Sequence, residues 1–312
     1  MAKYLIKRVL FILLSLFMIV TATFFIMRMA PGSPFASEKS LPPEIMENFN
    51  EKYGLNDPWY EQYFRYLGQV VRWDFGPSMK YKGQTVNEII ADGFTVSLAL
   101  GAEALLIAIG GGILLGVIAA LRHNRLPDYT ATVIAVLGIS VPSFILAAAL
   151  QYVLAFKMGI FPIARWESFS HTILPAFALA ATPLAMIARL TRSSMLEVMN
   201  QDYIKTAKSK GLSKRTITFR HAIRNALLPT ITYIGLLFAG IITGSFIIEN
   251  IYAIPGLGKQ FVVSITNRDY SVIMGTTVFY SVLLLFSMLI LDIIYGFVDP
   301  RIKLARPRKG EA

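Results

Sequence analysis

The sequence predicts an all-α membrane protein with six transmembrane helices and both termini on the cytoplasmic side. Three observations predict it. Of the 312 residues, 55% are hydrophobic, and mean hydropathy is +0.56, more apolar surface than a water-soluble globule can cover. Six stretches approach or exceed the roughly 20 apolar residues that a helix needs to cross a bilayer, and helices close their backbone hydrogen bonds internally. Lys and Arg are also distributed unequally between alternate connecting segments. In a membrane chain the formal net charge of +11 reads as positive-inside loops rather than a nucleic-acid surface.

Residues 1–30 hold the first span, Val9 to Met27, without a charge inside it. Lys3, Lys7 and Arg8 resemble the start of a signal peptide. The apolar run is longer than a usual signal core and no clear small-residue cleavage site follows, so an uncleaved span is expected. Residues 31–93 form an external region. Within it "NDPWYEQYFRYLGQVVRW" (56–73) reads as an amphipathic helix capped by Asn56 or Asp57, with Pro58 in its first turn. It is either a docking surface for an outside partner or a cap on the bundle. Residues 94–298 form a five-helix core. Phe94 to Leu121 carries only Glu103 and contains "GGGILLG" (110–116), whose small residues permit close helix approach, within one subunit or between two. Tyr129 to Phe156 is uncharged. Thr172 to Ala188 is uncharged but short, with Pro175 and Pro183, which with Pro142 are expected to kink or break helices. Ala226 to Ile248 has Pro229 in its first turn, and Tyr270 to Val298 carries only Asp292. Residues 299–312 are a tail.

With the N-terminus inside, segments 1–8, 122–128, 189–225 and 299–312 hold 19 Lys and Arg, against 10 in the outside segments. That sets the orientation.

The loop 189–225 is unlike a plain connector. It contains "DYIKTAKSKGLSKR" (202–215). Met195, Met199, Tyr203 and Ala207 recur every fourth residue and are expected to share one helix face. Gly211 stands where a left-handed helix end belongs. Lys205, Lys208 and Lys210 suit the negative end of the helix dipole. Ser213 is placed to cap a second helix, "KRTITFRHAIRNALLP" (214–229). The spacing therefore predicts two helices joined by a firm corner; the alternative is a solvated basic loop.

Catalytic chemistry has little support. With no cysteine, disulfides, thiol catalysis and cysteine-bound metal sites are excluded. His123, His171 and His221 lie far apart and outside metal-binding spacings. The nearest approach to a phosphate-binding Walker A loop is "AIPGLGKQ" (253–260), with Ala253 and Gln260 where Gly and Ser or Thr are required. Glu103 and Asp292 lie within spans, where an ionisable group faces a cavity or a partner. They are candidates for a translocation path or for an intramembrane polar contact that fixes packing.

The stretch 191–229 resembles, almost residue for residue, the cytoplasmic "EAA" loop of permease subunits in the dipeptide/oligopeptide/nickel group of ABC importers. "RMAPGSP" (28–34), "YGLNDPWYEQYFRYL" (53–67), "GVIAALRHNRLPD" (116–128), "GISVPSF" (138–144), "IENIYAIPGLGKQF" (248–261), "NRDYSV" (267–272) and "DPRIKL" (299–304) resemble that group in order and place. One departure from the general importer motif is its spacing. The thirteenth residue after Gly211 is Arg224, and Leu228-Pro229 follows five residues later.

The resemblance implies a type I ABC importer-like permease in the bacterial inner membrane, a transport subunit and not an enzyme. It implies an external substrate-binding protein, a second homologous permease, and two cytosolic ATPase subunits that bind ATP and Mg; this chain itself holds no cofactor. It implies a peptide substrate, with nickel or another small solute as the alternative. A stand-alone secondary carrier or channel is the rival class. The partners otherwise are membrane lipid, not nucleic acid. The ATPase-coupling residues it implies are Asp202, Tyr203, Lys205, Thr206, Ala207, Lys208, Gly211 and Leu212.

Overall fold

The computed structural model describes residues 2–29, 43–242 and 245–298. The tail 299–312, with "DPRIKL", and most of "RMAPGSP" lie outside the described residues. The elements are helices: α1 (Ala2–Met29), α2 (Pro43–Tyr53), α3 (Trp59–Arg72), α4 (Val86–Leu121), α5 (Leu126–Ser140), α6 (Ser143–Leu150), α7 (Phe169–Met199), α8 (Asp202–Ser209), α9 (Lys214–Thr216), α10 (Ile223–Ala226), α11 (Leu228–Ile242), α12 (Phe246–Ile251), α13 (Leu257–Asn267) and α14 (Tyr270–Val298). Two π-helical turns, Gln151–Lys157 and Ile217–Ala222, extend α6 and join α9 to α10.

Among the described residues, four helices are long and apolar enough to cross a membrane: α1, α4, α7 and α14. They become five if the pair 126–140 and 143–157, bent by 106°, is one span. The bend falls at Val141-Pro142, as Pro142 leads one to expect. Pro175 and Pro183 do not break their helix. The helix α7 runs unbroken through both for 31 residues, and the expected span 172–188 is only its middle. Without competing water, the remaining backbone bonds hold the helix across each missing N–H. The second span is also longer than expected: α4 has 36 residues, about 54 Å at 1.5 Å per residue. The expected span Ala226–Ile248 includes residues 243–244, which lie outside the described residues; on either side of them are α11, with the apolar stretch Leu228–Phe238, and α12.

The chain packs as two compact units. The first comprises Met1–Ser97 and Pro255–Leu289. Its core joins Val20 and Phe24 of α1 to Tyr66, Phe75, Val86, Ile89, Leu257 and Val272. Gly275 is required there: a Cβ would lie 2.5 Å from Val86 and 3.1 Å from Phe75. Asp269, fully buried, caps α14 through the Val272 N–H (3.2 Å) and accepts from Ser78 Oγ and the Met79 N–H (3.2 Å). The Walker-like "PGLG" is a packing device. The Leu257 N–H donates to Ser97 Oγ at 2.9 Å, and Gly93 lets α4 approach Leu257. The expected caps of α3 are absent. Asn56 bonds Glu47 (2.7 Å), Asp57 pairs with Arg65, and Pro58 occupies the cap position. The polar side chains find longer-range partners, so the proline's fixed φ starts the helix.

The second unit comprises Leu98–Ile254 and Ile290–Ala312. Its described helices gather around α7. The "GGGILLG" stripe packs within the unit: Cβ atoms at Gly111, Gly112 and Gly116 would meet Leu184, Ile187 and the Ala188 carbonyl at 2.8, 2.6 and 2.6 Å, whereas Gly110 faces open space. On α5, Gly138 approaches Ala185 in the same way, and Thr182 Oγ1 donates to its carbonyl at 3.0 Å. Further links are Tyr252 Oη donating to the Ala147 carbonyl (2.9 Å) and the Thr191–Thr230 hydroxyl pair (3.2 Å).

Candidate coupling site

The segment after α7 is ordered around a corner. The α8 helix begins at Asp202 and ends in a left-handed turn at Gly211, φ +73°. The Gly211 N–H donates to the Lys208 carbonyl (3.0 Å) and the Leu212 N–H to the Ala207 carbonyl (3.3 Å). These two bonds satisfy the helix's last carbonyls in the Schellman arrangement. One residue later Ser213 Oγ accepts the Thr216 N–H at 3.2 Å and starts α9. A C-cap and an N-cap thus share a three-residue joint, which leaves the backbone little freedom to bend.

What seats α8 differs from the expected face. The chain breaks at Asn200-Gln201, so the fourfold repeat of Met195, Met199, Tyr203 and Ala207 does not continue as one stripe. Two separate helices, α7 and α8, carry its halves. Ile204 is fully buried and Ala207 nearly so, while Tyr203 stays 43% exposed. Ile204 and Ala207 pack with Val117 and Ala120 of α4, Met195 of α7, and Ile217, Ala222 and Ala226 beyond the corner. Burying Ile204 alone contributes about 2 kcal/mol. The remaining predicted residues, Asp202, Lys205, Thr206, Lys208, Gly211 and Leu212, are all exposed. Lys205 Nζ lies 2.8 Å from the Asp202 carboxylate, a solvated pair of little weight. Tyr203 is held from beyond the corner, its hydroxyl accepting from Asn225 Nδ2 at 3.1 Å. The loop is therefore anchored by one small apolar face and presents the rest of its surface outward, including Leu212 (39% exposed) and Phe219 (66%).

Within the run 202–212 sequence reasoning did not single out Ile204 as the buried anchor, and it did not include Phe219 or Asn225. The Ile204–Ala207 spacing of three was a usable signal; nothing local pointed to Asn225. It also missed a polar pin beside the site. Asp128, 2% exposed, accepts from Arg192 Nε (2.5 Å) and Nη2 (3.0 Å), from the Asn124 N–H (2.9 Å), and faces His123 Nδ1 (3.0 Å). This bidentate pair ties the first turn of α5 to the last turns of α7. Of the two intramembrane candidates, Glu103 is half-buried on α4, with no side-chain hydrogen bond or ion pair among the described residues, and Asp292 is half-buried on α14.

An ordered corner on an apolar seat transmits a push as a rigid displacement, where a coil would absorb it. Comparisons with known proteins identify the family. Residues 112–304 match the family of binding-protein-dependent transport system inner membrane components, and residues 1–100 match the N-terminal region of such components. The dipeptide transport system permease protein DppB of Bacillus subtilis is 52% identical over 304 residues, spanning 97% of this chain and 99% of that protein. The oligopeptide transport system permease protein OppB of Salmonella typhimurium is 46% identical over 305 residues, 97% and 100% of the two chains. Among solved structures, a chain of the MetNI methionine ABC transporter in an inward-facing conformation shares the fold, with a TM-score of 0.55 at 17% identity, covering 68% of this chain and 97% of that one. A chain of an amino acid ABC transporter gives 0.54 at 17% identity, covering 67% and 94%. Several apolar helices and matches over nearly the whole length lead to one conclusion: this chain is a multi-pass membrane protein that belongs to the family of binding-protein-dependent transport system inner membrane components.

Proposed function

We propose that this chain is a permease subunit of an ATP-driven importer for peptides. The observation that carries the reading is the match, end to end, to permeases named for dipeptide and oligopeptide transport. The six spans are α1, α4, the bent α5–α6 pair, α7, α11 with α12, and α14, with both termini in the cytoplasm. A peptide arrives on an external binding protein, passes between this subunit and a second permease, and is released inside. Two cytosolic ATPases bind and hydrolyse ATP with Mg. The exposed face of α8, with Asp202, Tyr203, Lys205, Thr206 and Lys208, and the corner at Gly211 and Leu212, docks on one of them. Closure of the ATPases displaces α8, and its buried side carries the displacement to the ends of α4 and α7, so that ATP-bound and nucleotide-free states favour different packings of the spans. The relatives' names place peptides ahead of nickel as cargo.

The test is uptake of a labelled dipeptide and a labelled oligopeptide by proteoliposomes holding the co-expressed complex, with binding protein outside and ATP within. Accumulation that needs both ATP and binding protein is expected. Peptide uptake without ATP would return the chain to the secondary carriers. Nickel accumulation with no peptide uptake would reverse the cargo assignment.

A further inference from the structure

The α3 helix divides into three sectors when its residues are placed at 100° intervals. The first is a seam against α1. Tyr63 Oη and Thr21 Oγ1 lie 2.7 Å apart, Phe24 stacks on Tyr66 (6.0 Å) and Phe25 packs on Trp59 (5.9 Å). Arg28 Nη1 donates to Gln62 Oε1 at 3.4 Å. Both sides follow the same i, i+3, i+4, i+7 spacing: 21, 24, 25 and 28 meet 59, 62, 63 and 66. The second sector is polar and exposed, with Glu61, Arg65 and Arg72. The third, about 40° wide on the same 100° geometry, is apolar and uncovered in this unit: Tyr60 (48% exposed), Phe64 (68%) and Val71 (86%). A cap that only packed on the bundle would have no use for it.

We infer that this third sector lies in the membrane interface, with acyl chains and headgroup glycerol as its occupant. Depth is one reason. The seam takes up the last two turns of α1, whose apolar run ends at Met29, so α3 sits at the rim of the hydrocarbon. Continuity is another. Ile26 (65% exposed) and Met29 (82%) carry the lipid-facing surface of α1 up to the same level. Composition is the third. Trp59, Tyr60 and Trp73 are the amphipathic aromatics that favour that layer. A helix with protein on one side, water on another and an apolar stripe on the third meets the requirement for lying in an interface. A protein partner docking on the stripe would have to displace lipid from a surface continuous with a span.

The chain has no cysteine, which makes a direct test available. Nitroxide labels are placed at Phe64→Cys and Val71→Cys, and as controls at Arg65→Cys and Arg72→Cys. The full chain is co-expressed with its partner subunits, which have been freed of reactive cysteines, and reconstituted in liposomes. Collision with oxygen and with a water-soluble nickel chelate is measured at each label. Positions 64 and 71 should be oxygen-accessible and shielded from nickel, and positions 65 and 72 the reverse, with or without the external binding protein. If all four positions are open to nickel, the stripe is not in the membrane. If 64 and 71 lose nickel access only when binding protein is added, the stripe is a protein docking face. Either result overturns the inference and leaves the transport assignment standing.

Discussion

Gly211 offers the sharpest test of the corner. Its φ is +73°, and a Cβ built there has no atom within 4 Å. Substitution therefore meets no clash, and any cost comes from the backbone alone. An L-residue in the left-handed region costs about 1–2 kcal/mol, asparagine less than most. Gly211→Ala should raise the population of opened corner about fivefold to thirtyfold at 1.4 kcal/mol per tenfold. Gly211→Asn should change it little. Gly211→Pro cannot reach the required φ and deletes the N–H that donates to Lys208, a loss of about 3 kcal/mol or more. Hydrogen exchange of the Leu212 amide, whose bond to Ala207 spans the corner, reads the opening directly in the reconstituted complex. ATP-driven uptake in the same preparations should fall in the same order: glycine, asparagine, alanine, proline. Equal exchange for glycine and alanine would refute the conformational account. Unchanged uptake by an assembled Gly211→Pro complex would refute the transmission role.

Further substitutions probe the supports of the site. Arg192→Ala leaves the Asp128 carboxylate 2% exposed without its bidentate partner. A loss of about 3 kcal/mol is expected in denaturation of the purified protein, partly recovered by adding Asp128→Asn; a single variant as stable as the parent would rule out the pin. Gly116→Ala sets a methyl 2.6 Å from the Ala188 carbonyl and should destabilise by about 1–3 kcal/mol. Gly110→Ala, facing open space, should stabilise by up to about 1 kcal/mol. The same thermal melt separates the two, and equal shifts would mean that α4 and α7 are not in contact there.

Much of this architecture is legible in the sequence, because the physics is local. Uninterrupted apolar runs mark α1, α4 and α14. Gly211 and Ser213 announce their caps by residue type, and both conformations are present. What was not legible depends on partners far along the chain. The Asp128–Arg192 pair joins residues 64 apart. Asp57 gives up its expected capping role to reach Arg65. Pro175 and Pro183 look like breaks, yet α7 continues, because a helix in lipid has little to gain by opening. The break at Asn200-Gln201 carries no glycine or proline, and it moves the buried face from Tyr203 to Ile204. The corner that the spacing predicts is present, and its buried face is Ile204 with Ala207 instead of Tyr203 with Ala207.

The π-turn at Ile217–Ala222 gives this region a property that belongs to its gene more than to its shape. The buried positions Ile217, Ala222 and Ala226 follow one another at intervals of five and then four, the five spanning the wide turn. The wide turn absorbs one extra residue, so deleting a residue between 218 and 221 and closing to ordinary α geometry would keep the buried face, whereas winding all the residues present as α would not. In the latter case all that follows would rotate by about 100° relative to α8, carrying Asn225 away from Tyr203 and Ala226 out of the seat. Here the reading frame of the helix, rather than the identity of its residues, holds the information. Substitutions at the outward positions 219 and 220 leave that frame intact, whereas inserting a further residue does not.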